Sequence, residues 1–265
     1  MRTEDTIIKR NEPVTAVYRR LELDAPGIAP EVKPGQFVHV RLPAPEDALL
    51  RRPFSVFKTD GASLEIIYKP IGRGTRALEQ LPAGRALNLI GPLGRGFPLP
   101  GKTRTPVLVA GGYGMAALYL LARKVDRPGI AFFGGRGSDD ILCVPDFEAL
   151  GWHVETTTED GSLGRRGVVT AAVDDWLDSL EATETEPELF ACGPNGLLRA
   201  ISDRARNRNL TAWISLDRNM GCGVGACLTC VCRVRKPGEE AESWARCCRE
   251  GPVFNSRDIV WEVST

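Results

Sequence analysis

The sequence predicts a multi-domain β plus α/β chain: an antiparallel β-barrel over 1–100, a doubly wound parallel-sheet domain over 101–217, and a small cysteine-rich unit over 218–265. Three observations predict it. Short alternating apolar runs, split by turn residues, recur through the first hundred positions. Apolar strands then alternate with amphipathic helices. Last, six of the eight cysteines lie between Cys222 and Cys248.

The barrel rests on alternating runs at 14–23, 36–42, 55–58 and 64–69, with turns at Pro34-Gly35, Asp60-Gly61 and Pro82-Ala83-Gly84. Many short strands at such spacing argue for a barrel or sandwich. In the second unit the strand candidates are 106–110, 129–134, 153–157, 188–192 and 211–216. Helix candidates are 115–125, a short one opening at 146–150, 168–180 and 196–206. Strands alternating with helices build a parallel, doubly wound sheet. The acidic stretch 178–188 reads as a solvated connection. The longest apolar run, 107–122, is broken by Gly111, Gly112 and Gly114. It falls short of the roughly 20 residues that span a bilayer, so it reads as strand, turn and helix. The last unit is too short for a large core and needs a staple such as a metal site.

Composition narrows the function. With 43% apolar and 26% charged residues in 265, the chain has the make-up of an ordinary soluble protein. A formal net charge of zero gives no support for a nucleic acid or an anionic membrane as partner. The first ten residues are charged and lack a signal-peptide core, so a cytoplasmic location is expected. Disulfide frameworks belong to small secreted chains, and clustered thiols in a reducing compartment point to metal binding. His39 and His153 lie outside any ligand-spaced motif and read as structural.

The cysteine pattern is the most specific signal. Cys222-Gly-Val-Gly-Ala-Cys227-Leu-Thr-Cys230 has the spacing C-x4-C-x2-C, with a fourth thiol at Cys247 or Cys248. That is the plant-type ferredoxin spacing for a [2Fe–2S] cluster. Gly221, Gly223 and Gly225 permit the unusual φ values of a loop wrapped around a cluster. Its N–H groups, pointed at the sulfides, help set the potential. A structural zinc site is the rival, although zinc units usually pair C-x2-4-C elements. Cys232 and the unused member of Cys247 and Cys248 read as bystanders, and Cys143 as packing.

Weaker signals point to nucleotides. In Arg52-Pro53-Phe54-Ser55, Arg pairs with phosphate bidentately and Ser can bond a flavin ring edge; a surface Arg before a strand gives the same tetrapeptide. Ile67-Tyr68-Lys69 precedes Gly72-Arg73-Gly74-Thr75, and small residues at a helix start suit a pyrophosphate. Gly91 to Phe97 is a compact turn that is also readable as a linker. Gly111-Gly112-Tyr113-Gly114 joins a strand to a helix without the G-x-G-x-x-G fingerprint. It still puts a glycine turn at the carboxyl end of a first strand, where open α/β sheets bind nucleotides. Cys192-Gly193-Pro194 ends the fourth strand at that edge, and Cys192 reads equally as a buried strand thiol. Gly134-Gly135-Arg136 ends the second strand, where an adenosine ribose would lie, and Asp160-Gly161-Ser162 follows the third.

In this order the motifs resemble the ferredoxin reductase-like family, a flavin-binding barrel followed by a nicotinamide domain. Arg52 to Ser55 match its R-x-[FY]-[ST] element, and Cys192 to Pro194 match its cysteine–glycine–proline element. Met220-Gly-Cys222-Gly-Val-Gly-Ala-Cys227, with Cys248-Arg-Glu-Gly251-Pro252-Val253-Phe254, is similar to the electron-transfer subunits of NAD-dependent dihydroorotate dehydrogenases. The resemblance implies FAD contacts at Arg52, Pro53, Phe54, Ser55, Ile67, Tyr68, Lys69, Gly74 and Thr75. It implies nicotinamide contacts at Gly111, Gly112, Gly114, Cys192, Gly193 and Pro194, and cluster ligands at Cys222, Cys227, Cys230 and Cys248. The choice of Cys248 follows from Gly251-Pro252-Val253-Phe254 at the family distance. Two departures stand out: a longer loop over 233–246, and Tyr113-Gly114-Met115 where the family more often has Ile-Gly and then Pro.

The resemblance also implies a relay in pyrimidine (UMP) biosynthesis. Nicotinamide exchanges hydride and the cluster exchanges single electrons, so FAD, which does both, stands between them. The substrate site, with its FMN, belongs to a separate catalytic subunit, because a TIM barrel alone takes about 250 residues. A heterotetramer of two catalytic and two electron-transfer subunits is the implied assembly. The alternatives are the small subunit of another NAD(P)H:ferredoxin-type oxidoreductase or sulfhydrogenase, an oxygenase reductase, and a non-catalytic redox sensor of the same fold.

Overall fold

The computed structural model describes residues 1–43, 50–180, 186–235, 238–239 and 241–261. The N-terminal unit comprises β1 (Arg2–Pro13), β2 (Arg19–Asp24), β3 (Phe37–Arg41), β4 (Arg52–Ser55), β5 (Lys58–Asp60), β6 (Ser63–Tyr68), helix α1 (Arg73–Glu79) and β7 (Ala86–Leu93). The strands form one antiparallel sheet in the order β4-β3-β7-β1-β2-β6-β5. It curls until β4 at one edge meets β6 beside the other, with Phe54 edge-on to Tyr68 at 6.0 Å. Alternation builds the core inside the curl: Leu21, Leu23, Val38, Val40, Leu64, Ile66 and Leu89 are fully buried.

The strand β1 is not visible as an apolar run, because only Thr6 and Ile8 of its twelve residues are buried. It is held by ladders on both sides, to β2 and β7, and by the Thr6 hydroxyl donating to the Leu87 carbonyl (2.9 Å). Ladder pairing satisfies its backbone whatever its outward side chains are. Three sequence expectations are corrected here. The run 14–23 splits, since a hairpin turn (Val14 N–H to the Tyr18 carbonyl, 2.8 Å) delays β2 until Arg19. The run 55–58 is the junction of β4 and β5, not a strand. Gly91 to Leu93 belong to β7 rather than to a turn.

The second unit comprises β8 (Thr105–Gly111), α2 (Gly114–Lys124), β9 (Ile130–Gly135), α3 (Val144–Glu148), β10 (His153–Thr158), β11 (Arg165–Arg166), α4 (Val169–Ser179), β12 (Pro187–Cys192), α5 (Asn195–Asn207) and β13 (Thr211–Ser215). After it come β14 (Val231–Val234), β15 (Ser243–Arg246) and β16 (Val253–Asn255). The second sheet runs β11-β10-β9-β8-β12-β13-β16, parallel except for β16. Alternate strand residues serve two layers. Val107, Val109, Leu189 and Ala191 pack with α4 and α5, whereas Leu108, Ala110 and Phe190 pack with α2 and α3. The α2 layer also takes Tyr18, Phe57, Ile67 and Phe97 from the barrel.

The cysteine-rich segment is tied to the parallel-sheet unit at two places. Its β14–β15 hairpin shares a core with α4 and α5. Its last strand, β16, extends the parallel sheet at β13. Residues 181–185 of the acidic stretch, and 236, 237 and 240 of the long loop, lie outside the described residues. At the far end of that stretch, Glu188 is not solvated as expected. It is 6% exposed and accepts hydrogen bonds from Trp213 Nε1 (3.0 Å) and Gly101 N–H (2.8 Å).

Candidate functional site

The order of the parallel sheet reverses between β8 and β12, the switch point where such sheets bind ligands at their carboxyl ends. Both glycine elements stand there, since Ala110 is in register with Cys192. Gly112 has φ +55. A Cβ on Gly114 would lie 2.1 Å from the Cys192 carbonyl oxygen, and one on Gly111 would lie 3.0 Å from Pro194 Cδ. Gly111, Gly114, Cys192, Gly193 and Pro194 are thus one packed unit, with Gly112 at its rim. Burial, and then the Asp217 charge, push the Cys192 thiol up to about 12. Arg136 and Asp160 sit on adjacent loops after β9 and β10. Asp160 accepts from the Ser162 N–H and hydroxyl, and its carboxyl is lowered by them.

Two tyrosines flank this turn: Tyr113 from within the glycine motif itself, and Tyr18, which carried no advance signal in the sequence. Tyr113 donates to Asp217 Oδ2 (2.8 Å), and Tyr18 donates to Asp140 Oδ1 (3.0 Å). Burial first, then these carboxylates, raise both phenols, so both remain protonated donors. The Tyr18 hydroxyl would stand 3.0 Å from a Cβ on Gly112. Lys69 reaches the same place, 3.5 Å from Asp140 and over the Tyr18 ring at 5.0 Å.

On the barrel, β4 lies against β3, with Phe54 opposite Val38 and Ser55 opposite Phe37. All four residues Arg52 to Ser55 are half-buried. The Arg52 guanidinium rests on the Leu50 and Arg51 carbonyls (2.8 and 3.3 Å). Ile67 packs toward the α2 layer and Tyr68 into the barrel core, where its hydroxyl donates to Asn11 Oδ1 (2.9 Å). Thr75 caps α1 by accepting from the Gly72 N–H (3.1 Å). Gly74 allows Leu42 to pack at 2.7 Å from the missing Cβ. Beside Lys69 lies a cleft of about 380 Å³ lined by Tyr18, Arg19, Lys69, Arg76 and Glu79. Its cationic lining fits a phosphate-bearing ligand, and Arg19 and Arg76 are additions the motifs did not single out.

The cysteine loop has the backbone its glycines suggest, with φ +71 at Gly223 and +89 at Gly225. Its thiols meet in pairs. Cys222 Sγ accepts from the Ala226 and Cys227 N–H groups (3.2 and 3.4 Å), and Cys227 Sγ from the Cys222 N–H (3.3 Å). Cys248 N–H donates to Cys230 Sγ (3.4 Å). Cys247 and Cys232 are instead both buried in the hairpin core. Among the described residues, no three His, Cys, Asp or Glu side chains stand together as a metal cage. The donor chemistry nevertheless fits a thiolate-held cluster. Backbone N–H groups converge on sulfur, and the Thr229 hydroxyl, followed by backbone N–H groups, lowers Cys227 to about 6. Arg246 clamps the loop: Nη1 donates to the Gly225 carbonyl (2.9 Å), while Nε and Nη2 grip Glu250 (3.0 and 2.5 Å).

The segment 217–260 matches the family model for the iron-sulfur cluster binding domain of dihydroorotate dehydrogenase B. The chain is 37% identical over 247 residues to the dihydroorotate dehydrogenase B (NAD(+)) electron transfer subunit of Desulforamulus reducens, covering 91% of this chain and 92% of that one. Identity to the corresponding subunit of Geobacillus kaustophilus is 40% over 237 residues, with 86% and 87% covered. The chain belongs to this electron-transfer subunit family. Among solved structures, a chain of NADH-dependent reduced ferredoxin–NADP oxidoreductase aligns with a TM-score of 0.82 and 25% identity over 97% of this chain and 90% of that one. A ferredoxin reductase of carbazole 1,9a-dioxygenase shares the fold, with a TM-score of 0.65 over 79% of this chain and 66% of that one. No helix among the described residues is long and apolar enough to cross a membrane.

Proposed function

We propose that this chain is the electron-transfer subunit of an NAD-dependent dihydroorotate dehydrogenase, relaying electrons from a catalytic partner to NAD in pyrimidine biosynthesis. The observation that carries it is 37–40% identity over 86–91% of the chain to subunits of that name. When bound, FAD exchanges hydride with nicotinamide and single electrons with a [2Fe–2S] cluster.

The chain's own residues supply position. Arg52, Pro53, Phe54 and Ser55, with Ile67, Tyr68, Lys69, Gly74 and Thr75, hold FAD along β4, the end of β6 and the start of α1. Gly111, Gly112, Gly114, Cys192, Gly193 and Pro194 seat the nicotinamide at the switch point. Cys222, Cys227, Cys230 and Cys248 ligate the cluster. Cys248 is favoured over Cys247 by its N–H on Cys230 Sγ (3.4 Å) and by Gly251-Pro252-Val253-Phe254 following it at the family distance. The functional units are 1–100 for FAD, 101–217 for NAD and 218–265 for the cluster. No side chain here needs to move a proton.

The partner is a separate FMN-containing catalytic subunit, two of each forming a heterotetramer in the cytoplasm. The alignment with the ferredoxin–NADP oxidoreductase chain favours a second reading, the small subunit of such an enzyme, but at lower identity. Co-expression with the candidate catalytic subunit separates them. Dihydroorotate-driven reduction of NAD that requires this chain is expected. A complex that reduces NAD only from ferredoxin would overturn the first reading.

A further inference from the structure

His39 stands in the buried strand β3 between Val38 and Val40; these face the barrel core, so its ring points out of the barrel. It is 0% exposed, and neither ring nitrogen has a hydrogen bond of ordinary geometry. A buried polar group left unsatisfied costs about 1–3 kcal/mol, and an apolar side chain there would avoid that cost. Something outside the barrel core accounts for an imidazole at this position.

The neighbours of the ring supply a reason. It faces the backbone carbonyls of Cys222 and Arg51. It also lies flat against the cysteine loop, where a Cβ on Gly223 would stand 2.4 Å from His39 Nδ1 and 2.9 Å from Cγ and Cε1. Gly223 has φ +71, so backbone shape and the imidazole both exclude a side chain there. On the neighbouring strand, His39 is paired with Pro53, inside the flavin tetrapeptide. The Arg51 guanidinium reaches the His39 carbonyl at 3.4 Å and the Asn88 carbonyl at 2.9 Å, tying the same spot to β7. One ring therefore stands between the FAD strand and the first proposed cluster ligand.

We propose that His39 is a positioning residue that fixes the Cys222–Gly223 segment against the flavin strand, directing a ring N–H at the Cys222 carbonyl. It thereby sets the environment of the cluster and its electronic contact with FAD. The inference rests on the cluster assignment of the proposed function. Groups that orient metal ligands from outside the ligand set typically change metal affinity or activity about 10- to 100-fold when removed. Hydrogen bonds and solvent exposure around a cluster also tune its potential.

The test uses the full-length chain, purified anaerobically with its FAD and cluster, as wild type, His39→Leu and His39→Asn. Iron, sulfide and FAD content, the EPR signature of the reduced cluster, its midpoint potential and the rate of flavin-to-cluster transfer are measured. His39→Leu is expected to shift the EPR g-values and the midpoint and to slow transfer about 10- to 100-fold. His39→Asn, which keeps an N–H donor, should restore much of both. If His39→Leu fails to load the cluster, loading of His39→Asn supports the proposal, and equal failure of both overturns it. A His39→Leu protein with wild-type EPR, midpoint and transfer rate overturns it as well, whatever its melting temperature. Wild-type protein without iron or EPR signal would instead remove the cluster assignment itself.

Discussion

Gly114→Ala probes the contact on which the nicotinamide site depends. The added Cβ would stand 2.1 Å from the Cys192 carbonyl oxygen, 2.6 Å from its carbon and 3.0 Å from the Gly193 nitrogen, all backbone atoms. Ordinary contact begins near 3.4 Å. The start of α2 and the end of β12 must therefore part by about 1 Å, which no rotamer change can absorb. Overpacking of this kind costs about 1–3 kcal/mol. A displacement of about 1 Å in a positioning element can lower the rate about 100-fold. Stopped-flow reduction of the bound flavin by NADH reads the second effect, and urea unfolding reads the first. Iron and FAD content should remain at wild-type levels. Gly196→Ala is the control: a Cβ there meets nothing within 4 Å, and the helix should gain about 0.5–1 kcal/mol with unchanged flavin reduction. Wild-type kinetics in Gly114→Ala would refute the packed turn as the seat of nicotinamide.

Other expectations follow from the same geometry. Cys248→Ser should abolish the cluster, read as iron and acid-labile sulfide, while FAD stays bound; Cys247→Ser should keep it, and the reverse outcome moves the fourth ligand by one residue. Glu188→Ala strips partners from the Trp213 and Gly101 N–H groups and should destabilise the chain by about 2–5 kcal/mol in urea titration, whereas a loss under 1 kcal/mol would show that water replaces the carboxylate. Arg246, by hydrogen bonding, lowers Glu250 from 4.5 to about 2. A depressed carboxyl stabilises the fold above its unfolded pKa and loses that contribution as pH falls through its folded one. The clamp should thus weaken between pH 4.5 and about pH 2, modestly because the pair is about one-third exposed. Glu250→Gln should flatten this part of the stability–pH curve, and an unchanged slope would count against the clamp.

The elements with strong local signals were legible. The strands β8, β9, β12 and β13 are apolar at their centres because helices cover both faces, and apolar runs survive in sequence. By contrast, β1 carries charges on its solvent side, and two neighbouring strands, not its composition, make it a strand. The cysteine spacing and its glycines were legible because ligand geometry is local. Contacts across the chain were not. Nothing near Tyr113 announces Asp217, and nothing near Gly225 announces Arg246. His39 has no motif of its own, and its closeness to Gly223 exists only once the barrel and the cysteine loop are packed. Glu188 looked solvated because its acidic neighbours are charged, yet its own partners, Trp213 and Gly101, come from other segments.

The central claim is that one chain joins nicotinamide to a cluster through a flavin. Anaerobic titration of the purified full-length protein with NADH, followed by absorption and EPR on the same samples, tests it most directly. Flavin bleaching followed by a reduced [2Fe–2S] signal, with two irons per FAD, is the expected result. A colourless protein with stoichiometric zinc, or a flavin that millimolar NADH leaves oxidised, would contradict the account.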